Sequence, residues 1–187
     1  MIIRALELSI SITDQINQKY REYALYVLQS RGIPNFYDSL TPVQRIILQN
    51  SPSQFNKTIG LVGGVIRTGL YHHGDSSLAG AISKLARPFG CAYQLLEGDG
   101  FFGSPVNPSP SAARYTSVKI NSNIKNVVQR HSDLNVKNDE GGVDCLNLEI
   151  PIGLLTHVVG IAVGYRSNIL PRKLEDIVDY LDGKSKL

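Results

Sequence analysis

Apolar residues recur at helical spacing through the first ninety or so residues and then give way to shorter, alternating stretches. Residues 14–30 read as a helix. Ile16, Tyr20, Tyr23, Ala24, Val27 and Leu28 share one face, Asp14 stands where a cap is needed, and Gly32 and Pro34 end it. A second helix opens at Thr41-Pro42, with Thr41 as N-cap and Pro42 in the first turn. It carries Val43, Ile46 and Ile47 and ends near Ser51-Pro52. Residues 57–70 repeat the pattern through Ile59, Val62, Ile66 and Leu70. Gly63-Gly64 is costly in an isolated helix, so a closely packed neighbour is expected there.

The turn Tyr71-His72-His73-Gly74-Asp75 leads into a fourth helix over residues 76–86, with Leu78, Ile82 and Leu85 facing the core. Its other face holds Ser76, Ser77, Gly80, Ser83, Lys84 and Arg87, which is small, hydroxylated and basic. Helix, short turn and such a helix is what a helix-turn-helix reader of nucleic acid requires, although pattern alone describes an ordinary helical hairpin more often. After Pro88 the period changes. Residues 93–97 and 115–120 alternate like strands on either side of a turn-rich loop, residues 98–113. The expected fold is α+β: a winged-helix domain with a small β-containing segment after it. We place the domain at residues 1–121 and the following segment at 122–187. In that segment, residues 121–142 read as loop or short helix, and residues 143–170 as apolar stretches broken by glycines. Residues 172–182 read as a last helix with Leu174, Ile177, Val178 and Leu181 on one face.

Composition narrows the class. Apolar residues are 42% of 187, enough for a core, and charged residues are 19%, below the ~25% of an average soluble protein, which argues against disorder. Two cysteines give no disulfide framework, the apolar stretch near residues 153–165 is too short to span a bilayer, and no secretion signal is visible. A soluble, cytoplasmic protein with no membrane partner is expected. The net charge of +3 is unevenly spread. Residues 39–132 carry nine basic and three acidic side chains, net +6, and no acid lies between Asp99 and Asp133. Residues 133–187 carry six basic and nine acidic, net −3. A basic middle suggests a polyanionic partner.

Candidate chemistry is sparse. Residues 98–103 match G-x-G-x-x-G, but Ser104-Pro105 follows, so no helix can open there and a dinucleotide site is rejected. The histidines and cysteines lack metal-site spacing, and no metal is expected on this chain. Arg114-Tyr115 stands out. A guanidinium beside a phenol favours the phenolate and can hold a phosphate, so Tyr115 is a candidate phosphodiester nucleophile. With nine tyrosines in the chain, chance adjacency is the better explanation of the pair on chemistry alone.

Five segments, taken in order, resemble the DNA-breakage component of type IIA DNA topoisomerases: gyrase A, topoisomerase IV A and the medium subunit of phage topoisomerases. Arg31-Gly-Ile-Pro-Asn-Phe-Tyr-Asp38-Ser-Leu-Thr-Pro42-Val-Gln-Arg45 resembles R-x-[IL]-P-x-x-x-D-G-x-K-P-x-x-R. Tyr71-His-His-Gly-Asp-Ser-Ser-Leu78 resembles Y-H-H-G-[DE]-x-S-L, and Gly98-Asp-Gly-Phe-Phe-Gly-Ser104 resembles G-x-G-x-F-G-[ST]. Ala112-Ala-Arg-Tyr-Thr116 resembles the A-x-x-R-Y-[TI] segment, and residues 160–171 resemble G-I-[AG]-x-G-x-x-[ST]-x-I-P. The uninterrupted His-His is closer to the phage and eukaryotic style.

The resemblance implies that Tyr115 forms a 5′-phosphotyrosyl link to DNA, that Arg114 stabilises the phosphate, and that Arg31 and His73 complete the catalytic group. Arg45, His72, Ser76, Ser77, Ser83, Lys84 and Arg87 would contact double-stranded DNA, and Ile161 would wedge into a base step. Mg²⁺ and ATP would belong to a metal-binding/ATPase partner subunit, and a homodimer is a further implied partner. Two departures stand out: Ser39 replaces the family glycine and Thr41 the family lysine. The chain also stops where the family continues into a tower and a coiled-coil gate. Two other readings remain: a winged-helix DNA-binding protein without cleavage activity, and a structural fragment.

Overall fold

The computed structural model describes residues 11–185; the N-terminal stretch on which the expectation of no secretion signal rests lies outside them. Helix α1 runs Ile12–Val27 and passes into a π-helical turn, Leu28–Gly32. Its cap is Ser11, whose hydroxyl accepts from the Thr13 amide at 3.3 Å, and Asp14 lies in the first turn instead. Of the expected apolar face only Val27 is fully buried; Ile16, Tyr20 and Tyr23 are exposed. Helix α2, Pro42–Asn50, begins as expected. Thr41 Oγ1 accepts from the Gln44 amide and Gln44 Oε1 accepts from the Thr41 amide, so two orphan donors are satisfied reciprocally.

Helix α3, Thr58–Arg67, buries Thr58, Leu61, Val62 and Val65. That face is rotated from the expected one and leaves Ile59 and Ile66 exposed. No atom of a neighbouring element lies within 4 Å of where a Cβ would stand on Gly63 or Gly64, so the close neighbour expected there is not supplied by this chain's described residues. Helix α4, Asp75–Ala86, buries Leu78, Ile82 and Leu85 as its spacing requires. It also buries Ser83, because the helix is covered over more than a single stripe.

Three strands complete this part: β1 (Asn56–Lys57), β2 (Leu96–Asp99) and β3 (Ser117–Ile120), in the antiparallel order β1-β3-β2. Tyr115 therefore precedes β3 in a turn, where alternation had placed it in the strand. Leu96, Val118 and Ile120 join Ile47, Leu61, Leu78 and Ile82 in one core. Three packed helices, a hairpin and a long loop between its strands make a winged-helix fold.

Beyond it lie α5 (Ser122–Arg130), the hairpin β4 (Val136–Lys137) and β5 (Val143–Cys145), the hairpin β6 (Val158–Ala162) and β7 (Tyr165–Ile169), and α6 (Leu174–Leu181). In α6 only Ile177 is buried; Leu174, Val178 and Leu181 stay exposed. The β6–β7 hairpin is fixed to the π-helical turn. Ser167 Oγ donates to the Gly32 carbonyl at 2.8 Å and accepts from the Gly160 amide at 2.9 Å. A Cβ at Gly160 would run into that same carbonyl, so only glycine permits the approach. None of the helices among the described residues is long and apolar enough to cross a membrane.

The deepest polar contact is Asp38 with Arg45. Both side chains are almost fully buried, and Arg45 Nε and Nη2 donate to the carboxylate at 2.7 and 3.1 Å. The carboxylate also accepts from the amides of Leu40 and Leu146, at 2.8 and 2.9 Å, and Arg45 Nη2 donates to the Leu40 carbonyl. This corrects the expectation that Arg45 contacts DNA: its guanidinium is spent inside the protein and is 2% exposed. Breaking such a pair from one side leaves an uncompensated charge in the interior. Arg45→Met is expected to lower unfolding stability by about 3–5 kcal/mol in urea titrations. A loss below about 1 kcal/mol, the range of a surface ion pair, would contradict the buried assignment.

Candidate functional site

Four clusters of side chains carry the chemistry foreseen in the sequence. The first stands where the π-helical turn meets the turn before α4. Arg31 and His72 are exposed there and His73 is half-buried. Tyr71 packs its ring edge-on against His73, with centroids 5.5 Å apart, and donates from its hydroxyl to the Gly74 carbonyl at 3.2 Å. Gly74 is the N-cap of α4, so Tyr71 ties the histidine to the start of that helix. Partial burial, then the Arg31 guanidinium, then the His72 ring push His73 below the ordinary histidine value. A neutral imidazole there keeps one donor and one acceptor. His72, His73 and Tyr71 also form one wall of a groove of about 680 Å³ that Tyr26 and Ile33 line from the other side.

The second cluster is the α4 surface. Ser76, Ser77 and Lys84 are exposed, and Arg87 at the end of the helix lies 4.9 Å over the Phe89 ring. Ser83 does not belong to this face, being 8% exposed. The third is the tip of the β6–β7 hairpin, where Ile161 is 59% exposed opposite Arg166. An apolar side chain standing free on a rigid two-stranded arm suits insertion between bases.

The fourth is the turn before β3. Arg114 lies over the ring of Tyr115 at 4.7 Å, and Tyr115 is 66% exposed. The turn closes with the Tyr115 amide on the Ala112 carbonyl at 2.9 Å. The wing loop packs beside it. Phe102 is buried across Gly98, where a Cβ would strike its ring, and the Ser111 amide donates to the Phe101 carbonyl. Gly98 thus serves aromatic packing, whereas Gly100 and Gly103 hold positive φ against Thr116 and the Pro108 backbone. No hydrogen bond, ion pair or ring contact joins Arg114 and Tyr115 to Arg31 and His73 among the described residues.

Two buried threonines went unnoticed in the sequence. Thr58 and Thr116 join hydroxyl to hydroxyl at 2.8 Å. Fifty-eight positions separate them, and only the fold brings them together. Among the described residues no three His, Cys, Asp or Glu side chains converge as a metal-holding group.

A winged-helix domain with an exposed Arg-Tyr turn beside its wing is the frame in which the chain is compared with known proteins. The DNA gyrase/topoisomerase IV A-protein family matches residues 31–184, and the chain belongs to that family. The DNA gyrase A protein of Buchnera aphidicola subsp. Baizongia pistaciae is 34% identical over 188 residues, covering 92% of this chain and 22% of that protein. The DNA gyrase A protein of Spiroplasma citri is 33% identical over 184 residues, covering 91% of this chain and 80% of that sequence. The crystal structure of the Plasmodium falciparum topoisomerase II DNA-binding, cleavage and re-ligation domain superposes with a TM-score of 0.77 at 29% identity. It covers 93% of this chain and 26% of that one. The chain thus spans about a fifth of the length of relatives such as the Buchnera protein.

The His73 environment has a pH consequence. A depressed histidine value means that the unfolded chain binds the proton more readily than the folded one. The His73 contribution to stability is therefore full above the ordinary histidine range and declines as pH falls through it. In an NMR titration His73 should change charge below the ordinary histidine midpoint, and Arg31→Gln should move it partly back. A midpoint at or above the ordinary value would contradict the placement of Arg31 beside the ring.

Proposed function

We propose that this chain is the DNA-binding and DNA-breaking part of a type IIA topoisomerase, with Tyr115 as nucleophile. The observation that carries the reading is the exposed Tyr115 under the Arg114 guanidinium, on a turn between the wing and β3. The phenolic oxygen attacks a backbone phosphorus, an O–P bond to tyrosine forms, and the bond from phosphorus to the 3′ oxygen breaks. The phenolic proton leaves to solvent or a base, and the departing 3′ oxygen takes one up. One phosphodiester replaces another, so rejoining runs the same step backward without an external energy source. Arg114 offers charge to the phosphate as it becomes pentacovalent. Arg31 and a neutral His73 hold phosphate oxygens near the break, while Ser76, Ser77, Lys84 and Arg87 grip the backbone. Ile161 bends the duplex by wedging into a base step.

Mg²⁺ and ATP enter this scheme on a metal-binding/ATPase partner subunit, and the working assembly is cytoplasmic. Residues 1–121 form the cleaving unit, and residues 122–187 begin the tower-proximal segment. A homodimer is part of the reading. Ile59, Gly63 and Ile66 fall on one exposed stripe of α3, with open space at the glycine. This stripe is where the reading places the second copy of α3.

Two experiments test this. The chain, its partner subunit, Mg²⁺ and 5′- or 3′-labelled duplex DNA are mixed and then denatured. A covalent adduct that Tyr115→Phe abolishes supports the reading. DNA binding that weakens steeply with salt but never yields an adduct would instead favour a winged-helix binder without cleavage. Separately, light scattering should give twice the 20.5 kDa chain mass, and Ile66→Asp should shift it to the monomer. A dimer indifferent to Ile66→Asp would place the contact elsewhere.

A further inference from the structure

Helix α3 begins without a side-chain cap: Lys57, at its N-cap position, makes no such hydrogen bond. The first amides of a helix have no partner inside it and must find one outside. Here the partners come from the tyrosine turn. The Thr58 amide donates to the Thr116 carbonyl at 3.0 Å, and the Ile59 amide donates to the Ala113 carbonyl at 3.1 Å. Those two carbonyls bracket Arg114 and Tyr115. The two hydroxyls, Thr58 Oγ1 and Thr116 Oγ1, close the joint at 2.8 Å, and both residues are essentially unexposed, at 0% and 1%. On the far side, Thr116 Cγ2 lies 3.2 Å from where a Cβ would stand on Gly100, which holds a positive φ of 110° in the wing loop.

The turn that carries Tyr115 is therefore also the cap of α3. Its backbone is gripped on both flanks, while the Tyr115 side chain extends freely into solvent. Alternating grip and freedom is what a nucleophile needs when it must reach a phosphate from a fixed base.

We infer that Thr58 and Thr116 are positioning residues for Tyr115: their buried hydroxyl pair holds the register of the tyrosine turn on the N-terminus of α3. This rests on the proposed role of Tyr115 and adds to it the residues that aim it. The hydroxyl pair reinforces the register that the two backbone bonds set, because a buried hydroxyl that loses its partner must find another or remain unsatisfied.

The test uses the whole chain with its partner subunit, Mg²⁺ and labelled duplex DNA. Thr58→Val keeps the shape and the backbone amide but removes the hydroxyl; Thr58→Ser restores it. Misplacement by an ångström can cost about 100-fold in rate, so a smaller shift in Thr58→Val should slow adduct formation roughly 10-fold. Duplex affinity should stay within about twofold, because neither threonine is exposed to a ligand. Thr58→Ser should recover most of the rate. Thermal unfolding is measured on each variant, and Thr116→Val is run as a second removal of the same pair in case Thr58→Val folds poorly. Adduct formation at the wild-type rate in both valine variants would overturn the inference. So would equal losses of rate and affinity that follow the loss of thermal stability, since those mark a purely structural contact. If the wild-type chain itself forms no adduct, the role of Tyr115 fails instead, and the two failures are distinguishable.

Discussion

The buried carboxylate of Asp38 is the contact on which the arrangement of the molecule depends. It accepts from Nε and Nη2 along one edge of the Arg45 guanidinium, from the Leu40 amide beside it, and from the Leu146 amide 108 positions away. The Asp38 carbonyl accepts from the Gly153 amide as well, at 2.9 Å. One residue thus holds the start of α2, the strand end at β5 and the short 3-10 turn before β6 in a single frame. Several hydrogen bonds to one desolvated charge offset a large desolvation cost only together, so the frame is intolerant of partial loss. The π-helical turn just upstream and the hairpin that packs on it through Ser167 sit on this frame, and they present Arg31 and Ile161.

Against that fixed interior, the candidate chemistry is carried by side chains that face outward. Tyr115, Arg31, His72, Ser76, Ser77, Lys84 and Ile161 are exposed, and each stands on a backbone that is itself tied down. Tyr71 ties the His73 turn to the start of α4, the wing loop and α3 hold the tyrosine turn, and Gly160 lets the hairpin close on Gly32. Arg31 and His73 form one group and Arg114 and Tyr115 another. Among the described residues no hydrogen bond, ion pair or ring contact joins the two groups.

Much of this was legible in the sequence, for identifiable reasons. The Thr41 cap and Pro42 at the start of α2 and the inward face of α4 follow from local chemistry and period and were placed correctly, whereas the two wing strands were expected at 93–97 and 115–120 and form at Leu96–Asp99 and Ser117–Ile120, because alternation does not mark where ladder pairing begins. Arg45 was misplaced because its DNA contact was taken from the family resemblance, and a matching motif does not say whether an arginine faces a phosphate or a buried acid; burial decides, and burial is a tertiary property. Ser83 failed for a related reason, since a small hydroxylated residue fits either face of a helix. Gly63 and Gly64 signalled close packing that this chain's described residues do not provide. The Ser39 departure from the glycine of the family motif became intelligible only with the backbone: Ser39 takes a φ of 57°, the left-handed conformation that glycine adopts without strain, so this position itself favours glycine. The Thr58–Thr116 pair left no trace in the sequence because neither position is unusual alone.

The central claim is that this chain joins itself to DNA through one tyrosine and one polarity of strand end. The most direct measurement is to trap the covalent species with Mg²⁺ and the partner subunit, digest protein and DNA, and identify the linked peptide by mass spectrometry. The account predicts a peptide spanning Tyr115, with a nucleotide attached to that residue through a 5′ phosphate. A nucleotide on any other tyrosine, or attachment through a 3′ phosphate, would contradict it.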